Sequence, residues 1–339
     1  MYRYSQTFTI PGDTKTYTRT QLMTALKVEP YDKGVVLPHE QTFPKHKEDR
    51  LKILEATRAH LECIYGLFED PDRSVHELIV AAPASQSQEF VADDGVTNRL
   101  EVIDDPASIQ AIAAHMADKK VWIADGHHRY ETAVTYREMQ GAKDGLIAED
   151  FMMMALSSMS DPGLVILPTH RIVPNVPLDE AAFEAKLKAR FDVERLPNNQ
   201  LMAALKATPA NARTIAIAWK TGLGFVCRIP NANQVLEWID GPESARLKEL
   251  DVTILHRIIF EELLGLSGLE FFSYTRDPDE ALGSVSNGAD AAFLMNPPSV
   301  DDMRVIALGQ EKMPQKSTYY YPKLLSGLAL WSLSDFERQ

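Results

Sequence analysis

The chain has 339 residues, 45% of them hydrophobic and 24% charged, with 17 Gly and 20 Pro. That composition excludes a disordered or fibrous protein and gives length for about two domains. A formal net charge of −13 argues against duplex DNA and against an anionic membrane as partners, since both need a basic surface.

A local basic pocket for a small anion stays compatible with that balance. The two cysteines, Cys63 and Cys227, lie in unrelated segments. They fit buried thiols in a reducing compartment better than a disulfide framework. The N-terminus has no apolar signal core, and no run approaches the roughly 18 apolar residues of a membrane span. The chain therefore reads as soluble and cytoplasmic.

In chain order, "YRYSQTFTI" alternates, turns at Pro11-Gly12-Asp13 and resumes as "QLMTALKVE", which predicts a β-hairpin. A loop rich in Pro and Lys, "VVLPHEQTFPKHKEDR", leads into a helical pattern from Glu48. There Leu51, Leu54 and Leu61 share a face, and Glu48 and Lys52 make a favourable i,i+4 pair. "CIYGLF" reads as a strand, and Pro106 opens a helix over Ser108 to Met116. "KVWIA" is a short apolar strand, while Tyr130, Ala133 and Val134 recur with helical spacing. Asp125 to Arg129 is thus a strand-to-helix turn.

Beyond it, "FMMMALSSMS" and "LVILPTHRIV", joined through Asp161-Pro162-Gly163, read as a second hairpin, with Met152 to Met154 as core. After Pro174 come a helix ("LDEAAFEAKLKARF") and two strands ("RTIAIAWK", "GFVCRIP"). A long helix from Asp251 follows, with Val252, Leu255, Ile259 and Leu263 on one face. Later strands are expected in "LEFFSYT", "DAAFLMN" and "GLALWSL". The pattern predicts an α+β chain in two lobes, residues 1–172 and 173–339, without internal repeats.

The turn concentrates the chemistry. The first N–H groups of a helix lack intrahelical partners, and the dipole is positive there. Gly126 permits a tight turn and a close ligand approach. His127, His128 and Arg129 add donors and positive charge, completing the ingredients of a phosphate cradle. The plainer alternative is that Asp125 caps the helix and the histidines are solvated.

A metal site is less well supported, because adjacent histidines on a helix diverge whereas an i,i+4 pair grips one ion. Magnesium arriving with a nucleotide, held through Asp125, is the compatible form. The loop "LPHEQTFPKHKEDR" gathers His39, Glu40, His46, Lys47, Asp49 and Arg50, and supplies a carboxylate for general-base work. "MPQKSTYYYPK" carries Lys316-Ser317-Thr318 but lacks P-loop glycines. Its lysines, hydroxyls and tyrosines still suit a ligand cleft. His256 falls on an apolar helix face and is expected to be a hydrogen-bonded core residue; His170 is undecided. There is no G-x-S-x-G, G-x-G-x-x-G or paired C-x-x-C, which disfavours a serine hydrolase, a dinucleotide enzyme or a zinc ribbon.

Taken together, "VVLPHEQTFPKHKEDRLKILEATRA", "VWIADGHHRYETA", "DPGLVILPTHRIV" and "MPQKSTYYYPK" resemble the uncharacterised family known as domain of unknown function 1015. The Pro-His-Glu motif, the helix containing Asp-Arg-Leu and the Asp-Gly-His-His-Arg turn are also similar, more distantly, to the ParB/sulfiredoxin-like superfamily and its nucleotide-dependent free-serine kinases. That resemblance implies a ParB/sulfiredoxin-like mixed sheet in the N-terminal lobe and a second α/β lobe. It assigns Asp125, Gly126, His127, His128 and Arg129 to nucleotide phosphates, and Glu40, with His39 beside it, to the base that deprotonates a serine hydroxyl. A strand-rich insertion separates the two motifs by more than a compact ParB-like domain allows, so the fold must decide where Glu40 stands. Other family members extend further at the N-terminus, and part of a substrate pocket is expected to be missing here.

The expected activity is transfer of a phosphoryl group from ATP or ADP, with Mg2+, to a small hydroxyl metabolite such as serine. Glu40 and His128 are the catalytic candidates, and His39, Lys47, Arg50, Lys316 and Ser317 the substrate-binding ones. A small-molecule substrate is the expected partner, and no nucleic acid or membrane. The alternatives are a nucleotide-binding switch or partner-recognition module without transfer, and a nucleotide or phosphate-ester hydrolase.

Overall fold

The computed structural model describes residues 1–11, 13–143, 145–209, 212–268 and 270–334, with the side chains of all but His46 and Ala232. Gly12 in the first expected turn and Leu269 at the head of "LEFFSYT" lie outside the described residues, as does the His46 side chain. The chain forms two compact units, one of Met1–Val165 with Tyr320–Gln339 and the other of Ile166–Tyr319.

Unit 1 begins with the expected hairpin, β1 (Tyr2–Thr9) and β2 (Thr16–Lys27), in register from Tyr2↔Met23 to Thr9↔Thr16. There follow β3 (Val36–Leu37), α1 (Pro44–Thr57), β4 (Ala59–His60), β5 (Ile64–Phe68) and α2 (Ser74–Ala81). The series continues with β6 (Gln86–Val91), β7 (Thr97–Val102), α3 (Pro106–Met116), β8 (Val121–Asp125), α4 (His127–Met139) and β9 (Phe151–Ser158). Eight strands form one mixed sheet in the order β3-β8-β5-β9-β2-β1-β7-β6.

The methionine run occupies β9, between β2 (antiparallel) and β5 (parallel). Met152, Met154 and Leu156 pack on one face with Val75 and Ile79 of α2, Ile112 of α3 and Tyr130 and Ala133 of α4. Met153 and Ala155 pack on the other face with Tyr4, Cys63 and the partly buried Leu324, Leu328 and Trp331. A strand covered on both faces reads as a continuous apolar run. The second hairpin is therefore not formed: β9 pairs inside unit 1, and the chain leaves that unit at Val165.

The segment after Tyr320 returns to unit 1. Arg19, fully buried, holds it: Nη2 donates to Gln6 Oε1 (2.5 Å) and to the Pro322 carbonyl (2.6 Å), and Nη1 to the Tyr321 carbonyl (3.3 Å).

Two short strands, β10 (Val165–Leu167) and β17 (Tyr319–Tyr321), span the division between the units. Between them unit 2 contains β11 (His170–Val173), α5 (Glu180–Lys188), β12 (Asp192–Pro197), α6 (Leu201–Ala207), β13 (Thr214–Trp219) and β14 (Leu223–Arg228). Next come α7 (Ala232–Trp238), α8 (Ala245–Lys248) and α9 (Asp251–Ile254), which continues as a π-helix over Leu255–Leu264. Then follow β15 (Ser273–Thr275), α10 (Pro278–Ser286), β16 (Ala291–Leu294) and α11 (Val300–Leu308). In unit 1, β18 (Trp331–Ser332) pairs with β4. The unit 2 sheet runs β12-β14-β13-β16-β11-β15 and is antiparallel throughout.

The long helix after Asp251 buries Leu255, Ile259 and Leu263 as its periodicity requires, against Phe183, Trp219 and Phe225. His256 lies edge-on to Phe260 and Phe272. Its Nε2 has no hydrogen-bond partner, and burial lowers its pKa to about 3. It is a neutral packing residue and not the hydrogen-bonded one expected. His170 is buried and accepts from the Met295 amide through Nδ1 (3.1 Å). Among the described residues no helix is long and apolar enough to cross a membrane.

Candidate functional site

Sheet register explains how motifs far apart in sequence meet. β3 runs parallel to β8, with Val36 opposite Val121 and Leu37 opposite Trp122. Residues just past β3, His39 and Glu40, therefore emerge beside those just past β8, Asp125 to His127. β5 is antiparallel to β8, with Tyr65 opposite Asp125, so the residues that precede β5 reach the same end of the sheet. That places Glu62 at the turn.

The turn itself is the expected strand-to-helix junction. Gly126 is the N-cap of α4 at φ 100°, a left-handed conformation that an L side chain adopts only under strain. A Cβ there would also stand 2.8 Å from Ile64 Cδ1 and 3.0 Å from Arg129 Nη2. The N-cap residue itself, Gly126, has no side chain to cap the helix. The Asp125 carboxylate faces Lys323 Nζ at 3.2 Å and Arg129 Nη2 at 3.9 Å.

The histidines hold the Glu40 loop. The His39 amide donates to His127 Nε2 (3.3 Å), and the Phe43 amide donates to His128 Nε2 (3.0 Å). An Nε2 that accepts leaves the imidazole proton on Nδ1. His127 Nδ1 lies 3.7 Å from Glu40 Oε2, with the His127 ring buried and Glu40 about one-third exposed. Thr42 Oγ1 donates to Glu131 Oε2 (2.6 Å), and Lys47 Nζ pairs with the same oxygen at 3.0 Å. Four contacts to α4 thus fix the loop on which Glu40 stands. Lys47, expected at a substrate, is one of these ties.

Glu40, Arg50, Glu62 and Asp125 to Arg129 line one polar pocket of about 210 Å³. Arg129 is heavily engaged: Nη1 reaches Glu62 Oε2 at 2.8 Å and donates to the Cys63 carbonyl at 2.8 Å. Arg50, exposed at the pocket wall, has no ion-pair partner among the described residues. A second, mostly apolar pocket of about 120 Å³ adjoins and shares Arg50, Glu62 and Arg129. No cluster of three or more His, Cys, Asp or Glu able to hold a metal occurs among the described residues.

Lys316 and Ser317, expected at this cleft, belong to unit 2. Ser317 lines a cavity there, and Lys316 offers its carbonyl to Arg171. The division between units falls within the "MPQKSTYYYPK" segment, and its second lysine, Lys323, meets Asp125 in the turn. Lys323 ends the segment whose lysines the sequence singled out, whereas sequence reasoning missed Glu62. For Glu62 the sequence offered no signal beyond its place just ahead of the strand-like "CIYGLF", because the pairing of β5 with β8 that brings it to the turn is non-local.

Residues 1–253 match the family described as "Protein of unknown function (DUF1015)", and the chain belongs to it. No curated protein matches the chain. Among solved structures it is similar to a free serine kinase mutant in complex with AMP, at 11% identity and a TM-score of 0.45 over 93% of each chain. It is also similar to a conserved hypothetical protein from Pyrococcus furiosus, at 13% identity and a TM-score of 0.41 over 93% of this chain and 97% of that one. A third likeness is to SbnI with a C-terminal truncation from Staphylococcus aureus, at 11% identity and a TM-score of 0.42 over 90% and 85%.

Proposed function

We propose that unit 1 transfers a phosphoryl group from ATP or ADP to the hydroxyl of a small metabolite, with serine or a serine-like amino acid as the first acceptor to test. The observation that carries this reading is the meeting of Glu40 with the Asp125–Arg129 turn in one polar pocket. A carboxylate base beside the positive end of a helix, with an arginine uncommitted at the wall, is what positioning-dominated phosphoryl transfer needs. The fold reading that accompanies it is a ParB/sulfiredoxin-like unit 1.

In this scheme the amide end of α4 and Arg50 hold the terminal phosphates. The acceptor oxygen forms the new P–O bond, the bond to the leaving nucleotide phosphate breaks with its electron pair, and the hydroxyl proton passes to Glu40. His127, whose Nε2 accepts from the His39 amide, stands with its Nδ1 3.7 Å from Glu40 Oε2 and positions the carboxylate at the pocket. His128 acts by holding the Phe43 end of the loop, a positioning role in place of direct catalysis. Three acids at the pocket, Glu40, Glu62 and Asp125, repel phosphate unless a cation accompanies it. Magnesium bound to a nucleotide needs only one or two carboxylates, and Asp125 and Glu62 fit that role.

The test is mass spectrometry of a pooled-metabolite reaction supplied with ATP or ADP. A phosphorylated metabolite formed only with protein present establishes the transfer and names its acceptor. Nucleotide hydrolysis that needs no acceptor would make the protein a hydrolase, and binding without turnover would make it a nucleotide-binding switch.

A further inference from the structure

Unit 2 contains a cavity of about 510 Å³ whose wall includes Arg171, Arg213, Arg246, Asp251, Asn296 and Ser317. Two of these arginines are matched. Arg213 pairs with Glu249 at 3.3 Å, and Arg246 with Asp301 at 2.9 Å and Asp302 at 2.6 Å.

Arg171 differs from both. It is 2% exposed, and among the described residues no carboxylate lies within ion-pair distance of it. Its Nη1 donates to the Thr169 carbonyl and its Nη2 to the Lys316 carbonyl, while Nε has no hydrogen-bond partner. The Tyr274 ring lies 5.6 Å from the guanidinium carbon. Neighbouring His170 adds no second positive charge, because burial lowers its pKa to about 4 and keeps it neutral.

Asp251 is the converse. Its Oδ2 meets only the Asn296 side-chain amide, at 3.4 Å. Its Oδ1 is sealed from solvent without a hydrogen-bond partner, and no cation among the described residues pairs with it. Burial pushes this carboxyl up to about 7, although the charge of Arg213, itself paired with Glu249, pulls the other way without forming an ion pair.

A cation without an acid and an acid without a cation therefore share one cavity, where each costs stability unless something complements it. Both line the one cavity without pairing with each other, and a ligand carrying both charges would satisfy each at once. We infer that the unit 2 cavity binds a small zwitterion of the α-amino-acid type, its carboxylate on Arg171 and its ammonium on Asp251. Arginine suits the first contact because its fork receives a carboxylate through two parallel hydrogen bonds. The volume leaves room for a side chain beyond the two charged groups. This site lies wholly in unit 2 and does not depend on phosphoryl transfer in unit 1.

The test is calorimetric titration of the full chain with each of the twenty common L-amino acids. Any that binds is then compared with its deaminated acid and its decarboxylated amine. The expected result is one amino acid, or a few related ones, binding at least about tenfold tighter than either one-charge relative. In Asp251→Asn, nearly the same shape, the amino acid should fall to the affinity of its deaminated acid, whose own binding is unchanged. Arg171→Met should lose both, with circular dichroism confirming that it folds. An amino acid bound only in unit 1 would keep its affinity in both variants. Absence of binding by every amino acid, or affinity that survives Asp251→Asn, overturns the inference.

Discussion

Around the turn of unit 1, Arg129 is matched by Glu62 and Asp125, Lys323 by Asp125, and Lys47 by Glu131, whereas in the cavity of unit 2 Arg171 and Asp251 have no ion-pair partner among the described residues. The matched network has a positional use: it ties the Glu40 loop and the strand ends together at partly exposed sites, where single pairs contribute little. The charges of the unmatched pair cost stability where nothing complements them. Charges that hold a site in shape and charges kept for a ligand thus respond oppositely to removal.

The largest effect is expected at Asp251. Its folded pKa is raised above the unfolded value, so the folded state holds the proton more tightly. Its stabilising contribution is present in full below about pH 4 and is lost as pH rises toward about 7. At pH 8 the Asp251→Asn protein should therefore be more stable than wild type, by on the order of 4 kcal/mol. Urea unfolding from pH 4 to 8 checks this, and equal pH dependence in the two proteins would contradict it.

Removing a matched charge should do the reverse. Arg129→Met strands Glu62 and the Cys63 carbonyl and is expected to cost about 1–3 kcal/mol, measured by the same unfolding at pH 7. A variant as stable as wild type would mean that the network does not hold the turn. Smallest of the three, Lys47→Ala removes a pair whose lysine is 38% exposed and should cost under about 1 kcal/mol. Its transfer rate should fall more visibly than its stability, because the Glu40 loop loses a tie. An unchanged rate would leave Lys47 a mere surface contact.

Local patterns that carry their own explanation were legible in the sequence. Apolar "KVWIA" followed by Gly126 and helical spacing fixed the turn, and the first hairpin followed from alternation. Non-local pairing was not legible. "FMMMALSS" and "LVILPTHRIV" look like hairpin arms, yet β9 is buried on both faces and pairs with β2 and β5. Its unbroken apolar run was the clue to a central strand. The convergence of Glu40 with the turn needed the parallel β3–β8 pairing, which no spacing in the sequence specifies. The strand-rich insertion between the motifs does not displace Glu40, because it builds other parts of the sheet and leaves β3 beside β8. Likewise Arg19 clasps residues 321 and 322 of the returning segment, and nothing in "MPQKSTYYYPK" announces that its two lysines serve different units.

The most direct measurement compares Glu40→Gln with wild type in nucleotide binding and in phosphoryl transfer to the acceptor found by mass spectrometry. Loss of a general base leaves ground-state binding intact while lowering the rate by about 10²–10⁴. Unchanged nucleotide affinity with that loss of rate is the predicted result. A Glu40→Gln protein that transfers phosphate at the wild-type rate would contradict the assignment of Glu40 as base.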